Sequence, residues 1–197
     1  MSSVSAVPHV SNMKKTTKPF VDIMIVAAVS VLTFAFENLA NAQGWITVGA
    51  EARGVTAVLA GAFAAVGVIL ARGGTLSDLG FKRPKRWAIA PFQVTVILVV
   101  FVVAQTLAPL LISSFISLPQ PDVSRYASIS GNLGGAIAMA LILPLTASIP
   151  EEIIYRGFLM GRLSEFFGQT SRGATMTVLV QALFFSSVHF QWGIGGM

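Results

Sequence analysis

The chain of 197 residues is 54% hydrophobic and only 11% charged, and its mean hydropathy is +0.77. A soluble globular domain has about 25% charged residues, so this composition excludes an ordinary water-soluble fold. The sequence contains no cysteine, which excludes disulfides, thiolate zinc sites and a cysteine nucleophile.

A polar segment precedes the apolar part of the chain. Residues 1–19 are rich in Ser and Thr and contain three lysines, so we interpret them as a cytoplasmic tail. Each of the five apolar stretches that follow is close to the roughly 20 residues with which a helix crosses the hydrocarbon core. They are Phe20–Phe36, Gly54–Ala71, Ala88–Ile112, Leu133–Pro150 and Ala174–Phe190. A lone segment in lipid must satisfy its backbone hydrogen bonds internally, which a helix does. The sequence therefore predicts an all-α, polytopic transmembrane helical bundle with about five spans, in which residues 20–132 form the N-terminal helices and loops.

The basic residues collect in alternate connections between these stretches. Three lie in the tail, five in the loop after the second stretch and three in the segment after the fourth, whereas the other loops hold only Arg53 and Arg125. Lys and Arg accumulate in cytoplasmic loops, so the N-terminus is predicted to be cytoplasmic. The same distribution explains the net charge of +5 and argues against nucleic acid as a partner; membrane lipid is the predicted surrounding.

The first apolar stretch has an alternative interpretation. A basic region, an apolar segment and Ala40-Asn41-Ala42 together resemble a secretory signal with its cleavage site, although the apolar segment exceeds the roughly 7–15 residues typical of one. Asp22 and Glu37 border this stretch and are interpreted as interfacial. Arg162 and Glu165, which follow the fourth stretch, are interpreted as a solvated helix face.

The fourth apolar stretch leads directly into two carboxylates and an arginine, Glu151, Glu152 and Arg156. Ionisable groups at membrane depth are costly and therefore indicate a functional site. Pro150 is predicted to lie in the first turn of a new helix, where its missing N–H is not needed. Helical spacing places Glu152 and Arg156 on one face, close enough to pair. Glu151 points about 100° away around the axis, so it can act as a base while Glu152 is neutralised.

A second group of candidate residues lies at the far end of the fifth stretch. Phe185 and His189 are four residues apart and are predicted to share a helix face. A histidine there can accept or donate a hydrogen bond, shuttle a proton or bind a metal ion. Taken singly, a Glu pair at a helix end is more often a cap that faces water, and a lone His an interhelical hydrogen-bonding residue. The occurrence of both groups in one chain favours a functional site.

The two patterns Glu151-Glu152-x-x-x-Arg156 and Phe185-x-x-x-His189 resemble, in order and spacing, two motifs of a known family. These are the first and second motifs of the CAAX-processing and bacteriocin-processing (CPBP, also called Abi) intramembrane proteases. The resemblance implies that residues 133–197 are the catalytic region of an endopeptidase in a bacterial cell membrane. It also implies that Glu151 activates water, with Glu152, Arg156 and His189 completing the catalytic site.

The same resemblance bears on substrates, cofactors and an earlier loop. Leu79-Gly80-Phe81 and Arg83-Pro84 are similar to the cytoplasmic loop of that family. The implied substrates are membrane-associated peptides or membrane proteins of the CAAX or bacteriocin-precursor type. His189 is implied to stabilise the oxyanion or, with Glu151, to bind a divalent metal such as zinc. The resemblance leaves open whether the enzyme is a metalloprotease or a glutamate protease.

The chain also departs from the family pattern. The third motif, a His followed four residues later by Asn or Asp on a later helix, has no counterpart, and the other histidine of the sequence is His9 in the polar tail. We therefore expect the sequence to be truncated before the third motif. If it is complete, the alternative is a non-catalytic membrane protein, such as an immunity or transport factor, that uses its buried charges as a binding or proton-relay site.

Overall fold

A computed structural model of the protein describes residues 18–83, 86–115, 117, 127 and 129–189. The described residues form helices without any strand, which confirms the predicted all-α class. The five helices are α1 (Pro19–Ala42), α2 (Ala50–Ala71), α3 (Ala90–Ser113), α4 (Leu133–Phe167) and α5 (Ser171–Ser187). A 3₁₀ turn, Leu76–Leu79, follows α2.

Four of these helices, α1 to α4, are long and apolar enough to cross a membrane. They correspond to the first four predicted spans, and they confirm a polytopic helical membrane protein. The fifth predicted span is also helical, but α5 has 17 residues and is shorter than the roughly 20 that a perpendicular crossing requires. The end of that predicted span, Phe190, lies outside the described residues.

The chain divides into two compact units. The first consists of Met1–Phe81 and Ile129–Leu183, and the second of Lys82–Ser128 and Phe184–Met197. The second unit contains α3, in which no residue is buried and the side chains after Ala90 are exposed and mostly apolar. Such a helix is suited to lipid, because acyl chains solvate its side chains while its backbone hydrogen bonds remain within the helix. The division of the sequence at residues 19 and 132 stays a prediction.

In the first unit, α1 and α2 form an antiparallel pair that packs against α4. Asp22 near the start of α1 contacts Arg72 at the end of α2, and Glu37 near the end of α1 accepts a hydrogen bond from Thr56 near the start of α2. The shared core is formed by Val26, Ala65, Ile69, Leu79 and Phe158. Ala40 is helical and 1% exposed, which favours the interpretation of α1 as a packed span over a cleavage site at Ala40-Asn41-Ala42.

The prediction that a new helix begins at Pro150 is wrong, because α4 continues from Leu133 to Phe167 through both Pro144 and Pro150. A proline inside a helix removes one backbone donor and crowds the preceding turn. Here the helix widens into π-helical hydrogen bonding at Pro144–Ser148 and again at Glu152–Leu159. The N–H of Ile149, for example, donates to the carbonyl oxygen of Pro144, five residues earlier. The widened turns allow the helix to continue into the segment with the two glutamates.

Two interpretations of charged residues are also wrong. Arg162, expected on a solvated face, is 1% exposed, and Asp22, expected at the interface, is completely buried. The Asp22 carboxylate contacts Arg72 at 2.7 Å and Arg162 at 3.3 Å. Sequence spacing gave no indication of this contact, because its members come from α1, from the end of α2 and from α4. Burial of each charge is compensated by the others, which is the condition under which ionised side chains occur inside proteins.

Candidate active site

The first candidate motif lies on the second π-helical stretch of α4, Glu152–Leu159. π-helical turns are rare and occur frequently at functional sites, because the extra residue per turn displaces side chains from regular helical positions. The final bond of this stretch runs from the N–H of Met160 to the carbonyl oxygen of Tyr155. The motif therefore lies on a locally irregular part of an otherwise continuous helix.

Glu152 and Arg156 form the predicted pair, with Arg156 Nη1 2.5 Å from Glu152 Oε1. Their side chains are 53% and 69% exposed, so the pair lies on the surface of the first unit. Glu151, the neighbouring carboxylate, is partly buried. The two adjacent glutamates thus have different environments, as their helical spacing predicts. Whether Glu151 is the catalytic carboxylate stays a prediction.

The Glu152–Arg156 pair borders a groove of about 290 Å³ in the first unit. One wall is the loop segment Leu79-Gly80-Phe81, and the other consists of α4 residues: Ile149, Glu152, Ile153, Arg156 and Gly157. The groove thus combines apolar side chains with one ion pair. A groove of this composition offers apolar and charged contacts side by side.

The loop wall is held against α4 by a close backbone contact. A Cβ built on Gly157 would lie 2.6 Å from the carbonyl oxygen of Leu79, so α4 and the loop can approach this closely only where the helix has a glycine. Thr75 and Asp78 stabilise the turn before the loop by a reciprocal capping box. Sequence reasoning noted the loop by resemblance but did not predict its contact with Gly157.

His189 lies in the second unit, just after the end of α5. Its Nδ1 is 2.8 Å from the carbonyl oxygen of Phe185, and the two rings have centroids 4.7 Å apart. These contacts confirm the predicted sharing of a face. A carbonyl oxygen only accepts, so Nδ1–H is the donor, and in the neutral imidazole Nε2 then carries the lone pair. His189 can therefore accept a proton at Nε2, or donate from Nε2 once both nitrogens are protonated.

The predicted site residues are thus distributed over two compact units. Glu151, Glu152 and Arg156 belong to the first unit and His189 to the second, so their meeting around one cavity stays a prediction. Within the part of the chain that the structure describes, no three His, Asp or Glu side chains gather as a metal site would require. The implied role of Glu151 and His189 as metal ligands also stays a prediction, and we derive no catalytic step through a metal.

Comparison with known proteins identifies the C-terminal part of the chain. Residues 133–197 match a family model described as "Type II CAAX prenyl endopeptidase Rce1-like". No curated protein and no solved structure matches the chain. The matched range includes both motifs and all four predicted site residues. Residues 133–197 are therefore similar to the Rce1-like family of type II CAAX prenyl endopeptidases, in agreement with the CPBP resemblance that the motif spacing indicates.

Proposed function

We propose that this protein is an intramembrane endopeptidase that hydrolyses peptide bonds of membrane-associated substrates, of the CAAX or bacteriocin-precursor type. The observation that carries the proposal is the Rce1-like match of residues 133–197, which covers both motifs. The apolar helices α1 to α4 support a location in the membrane, where a prenylated or otherwise lipid-anchored peptide is concentrated. A bacterial cell membrane is the proposed site.

The different environments of the two glutamates support separate roles for them. Glu152 is paired with Arg156 at 2.5 Å, and this hydrogen bond fixes the direction of its carboxylate. Glu151 is partly buried on the adjacent position of the same helix and is the proposed general base. Arg156 is proposed to fix Glu152 at the edge of the groove rather than to react. A general base must come within hydrogen-bond reach of the proton that it takes, and a water molecule between Glu151 and the peptide would provide that contact.

The proposed reaction is the addition of water to a peptide carbonyl. Glu151 takes one proton from the water while the water oxygen forms a bond to the carbonyl carbon, which leaves a tetrahedral intermediate with a negative oxygen. The C–N bond then breaks, and the leaving nitrogen receives the proton from Glu151, so that a carboxylic acid and an amine are formed; the acid then gives its remaining proton to the amine, which yields a carboxylate and an ammonium group. His189, protonated at both ring nitrogens, would donate from Nε2 to the negative oxygen.

The test uses the complete natural protein reconstituted in lipid vesicles, with a prenylated CAAX peptide as substrate and mass spectrometry to detect the released fragment. The Glu151→Gln variant keeps the size of the side chain but cannot accept the proton, so release is expected to fall by about 100-fold or more. Glu37→Gln is the matched control, because Glu37 contacts Thr56 in the α1–α2 pair and no residue of either motif.

Two outcomes would contradict the proposal. Full activity of the Glu151→Gln variant would remove Glu151 as the base. A wild-type protein that folds and inserts but releases no fragment from CAAX or bacteriocin-precursor peptides would favour the non-catalytic alternative, in which the charged residues bind a partner or relay protons.

A further inference from the structure

A group of four charged residues lies in the first unit, separate from the two motifs. The side chains of Asp22 and Arg162 are 0% and 1% exposed, and they form an ion pair. Arg72 donates two hydrogen bonds to Oδ1 of Asp22, from Nη2 at 2.7 Å and from Nε at 3.2 Å. Arg162 Nη1 is 3.0 Å from both carboxylate oxygens of Glu165. With two carboxylates and two guanidinium groups, the group is neutral as a whole. We call these four residues the Asp22 cluster.

The Asp22 cluster joins three helical segments at one end of the first unit. Asp22 is in the first turn of α1, Arg72 directly follows α2, and Arg162 and Glu165 are on the last part of α4. Both guanidinium groups contact the one carboxylate of Asp22, so this side chain links α4 to the α1–α2 pair by charge, in addition to their shared apolar core. A paired, buried charge of this kind fixes geometry strongly, because any movement that separates the partners leaves a charge in a medium that solvates it poorly.

The cluster is continuous with the helix segment that carries the first motif. The guanidinium carbon of Arg162 is 5.8 Å from the centre of the Phe158 ring, and Phe158 is 2% exposed in the core with Leu79. Gly157, next to Phe158, contacts the backbone of Leu79 in the groove wall. The Glu152–Arg156 pair itself is exposed, so packing around its own side chains does not hold it in place. Its position is set by packed residues of α4 on both sides and between its members: Pro150, Ile153, Ile154 and Phe158.

We propose that Asp22 is a positioning residue for the Glu151–Arg156 motif: through Arg162 it anchors α4 to α1 and α2, and so fixes the motif relative to the groove wall. The proposal rests on the proposed function for its kinetic consequence, but the anchoring itself is independent of activity. Small errors in the placement of catalytic groups reduce rates strongly, and a displacement of about 1 Å can reduce a rate about 100-fold. Loss of the anchor is thus expected to lower kcat more than it changes KM.

The kinetic experiment compares Asp22→Asn with Glu37→Gln in the complete protein, reconstituted in lipid vesicles with a prenylated CAAX peptide. Both changes remove one carboxylate from α1, but Glu37 accepts its hydrogen bond from Thr56, at the opposite end of the α1–α2 pair. Asp22→Asn is expected to lower kcat about tenfold or more with little change in KM. Glu37→Gln is expected to leave both constants unchanged. Equal effects of the two variants would overturn the proposal.

A double variant separates positioning from simple stabilisation. Asp22→Leu with Arg162→Met replaces the two fully buried charges of the cluster by apolar side chains of similar size, a change that often preserves stability, and the remaining Arg72 and Glu165 are 37% and 26% exposed and can reach water. A positioning role predicts that the double variant has a melting temperature close to that of the wild type, whereas Asp22→Asn alone melts at a lower temperature. It also predicts that kcat is reduced in both the double variant and Asp22→Asn. If kcat returns together with stability in the double variant, Asp22 stabilises the fold only, and the proposal is wrong.

A distance measurement tests the anchor without any assay of activity. The chain has no cysteine, so single cysteines at the exposed positions Met24 on α1 and Phe166 on α4 can carry spin labels without other changes. Pulsed electron paramagnetic resonance is expected to give a shifted or broadened distance distribution in Asp22→Asn and an unchanged one in Glu37→Gln. An unchanged distribution in Asp22→Asn would overturn the anchor. A shifted distribution in a protein that cleaves no peptide would retain the anchor and reject the proposed function.

Discussion

Replacement of Gly157 by alanine would place a methyl group between α4 and the loop that forms the groove wall. The built Cβ lies 2.6 Å from the carbonyl oxygen of Leu79 and 3.2 Å from its Cα and carbonyl carbon, whereas ordinary contact begins at 3.4 Å. All three atoms are backbone, so a side-chain rotation cannot relieve the contact, and the loop must retreat by about 0.8 Å. Overpacking of this kind lowers the free energy of unfolding by about 1–3 kcal/mol, and the greater helix preference of alanine over glycine offsets about 0.5–1 kcal/mol of this loss. We expect Gly157→Ala to lower the free energy of unfolding by roughly 1–2 kcal/mol.

The matched control is Gly161→Ala, one turn later on the same helix. Among the described residues, no atom outside the helix's own backbone lies within 4 Å of a Cβ built there, so this change should leave stability unchanged or raise it by up to about 1 kcal/mol. The free energy of unfolding can be measured by circular dichroism in mixed micelles titrated with sodium dodecyl sulfate. Peptide release should fall in Gly157→Ala, because the loop wall moves away from Glu152 and Arg156. Equal stability of the two variants would refute the close contact between α4 and the loop.

Two further predictions follow from exposure and from the antiparallel α1–α2 pair. The Glu152–Arg156 pair is largely exposed, so Arg156→Gln should change the free energy of unfolding by no more than about 1 kcal/mol while peptide release falls strongly; a large loss of stability would show that the pair is structural. Gln43 and Thr75 are exposed at opposite ends of the α1–α2 pair, and a cytoplasmic N-terminus places Gln43 outside and Thr75 inside. In intact cells, a membrane-impermeant maleimide should therefore label Gln43→Cys but not Thr75→Cys; the reverse labelling would contradict the predicted orientation.

The features that the sequence predicted correctly depend on residues close together in the chain. Runs of about 20 apolar residues define helices in lipid, because no other local structure satisfies an isolated segment there, and α1 to α4 follow these runs. Spacing of four residues likewise predicts the pair of Glu152 with Arg156 and the contact of Phe185 with His189. Motif order predicted the family that residues 133–197 match.

The course of α4 at Pro150 is a feature that local sequence rules predicted wrongly. Local rules favour a helix start at a proline, because its missing N–H is not needed in the first turn. The structure instead continues the helix, with π-helical bonding on both sides of the proline. Packing of the following residues against α1 and α2 stabilises this arrangement, since Phe158, Leu159 and Leu163 are buried. A local rule fails here because tertiary burial outweighs the preference of a single residue.

The sequence alone determined the helical class, the membrane-spanning segments and the contents of each motif, since each depends on solvent preference or on spacing within one helix. The tertiary structure decided which charges are buried and which face the surface. Asp22 and Arg162 are separated by most of the chain yet form one buried ion pair, while the adjacent Glu152–Arg156 pair is exposed. The physical reason is that the free energy of a charge depends on the dielectric medium and on partners from other helices, neither of which the neighbouring residues in the chain specify.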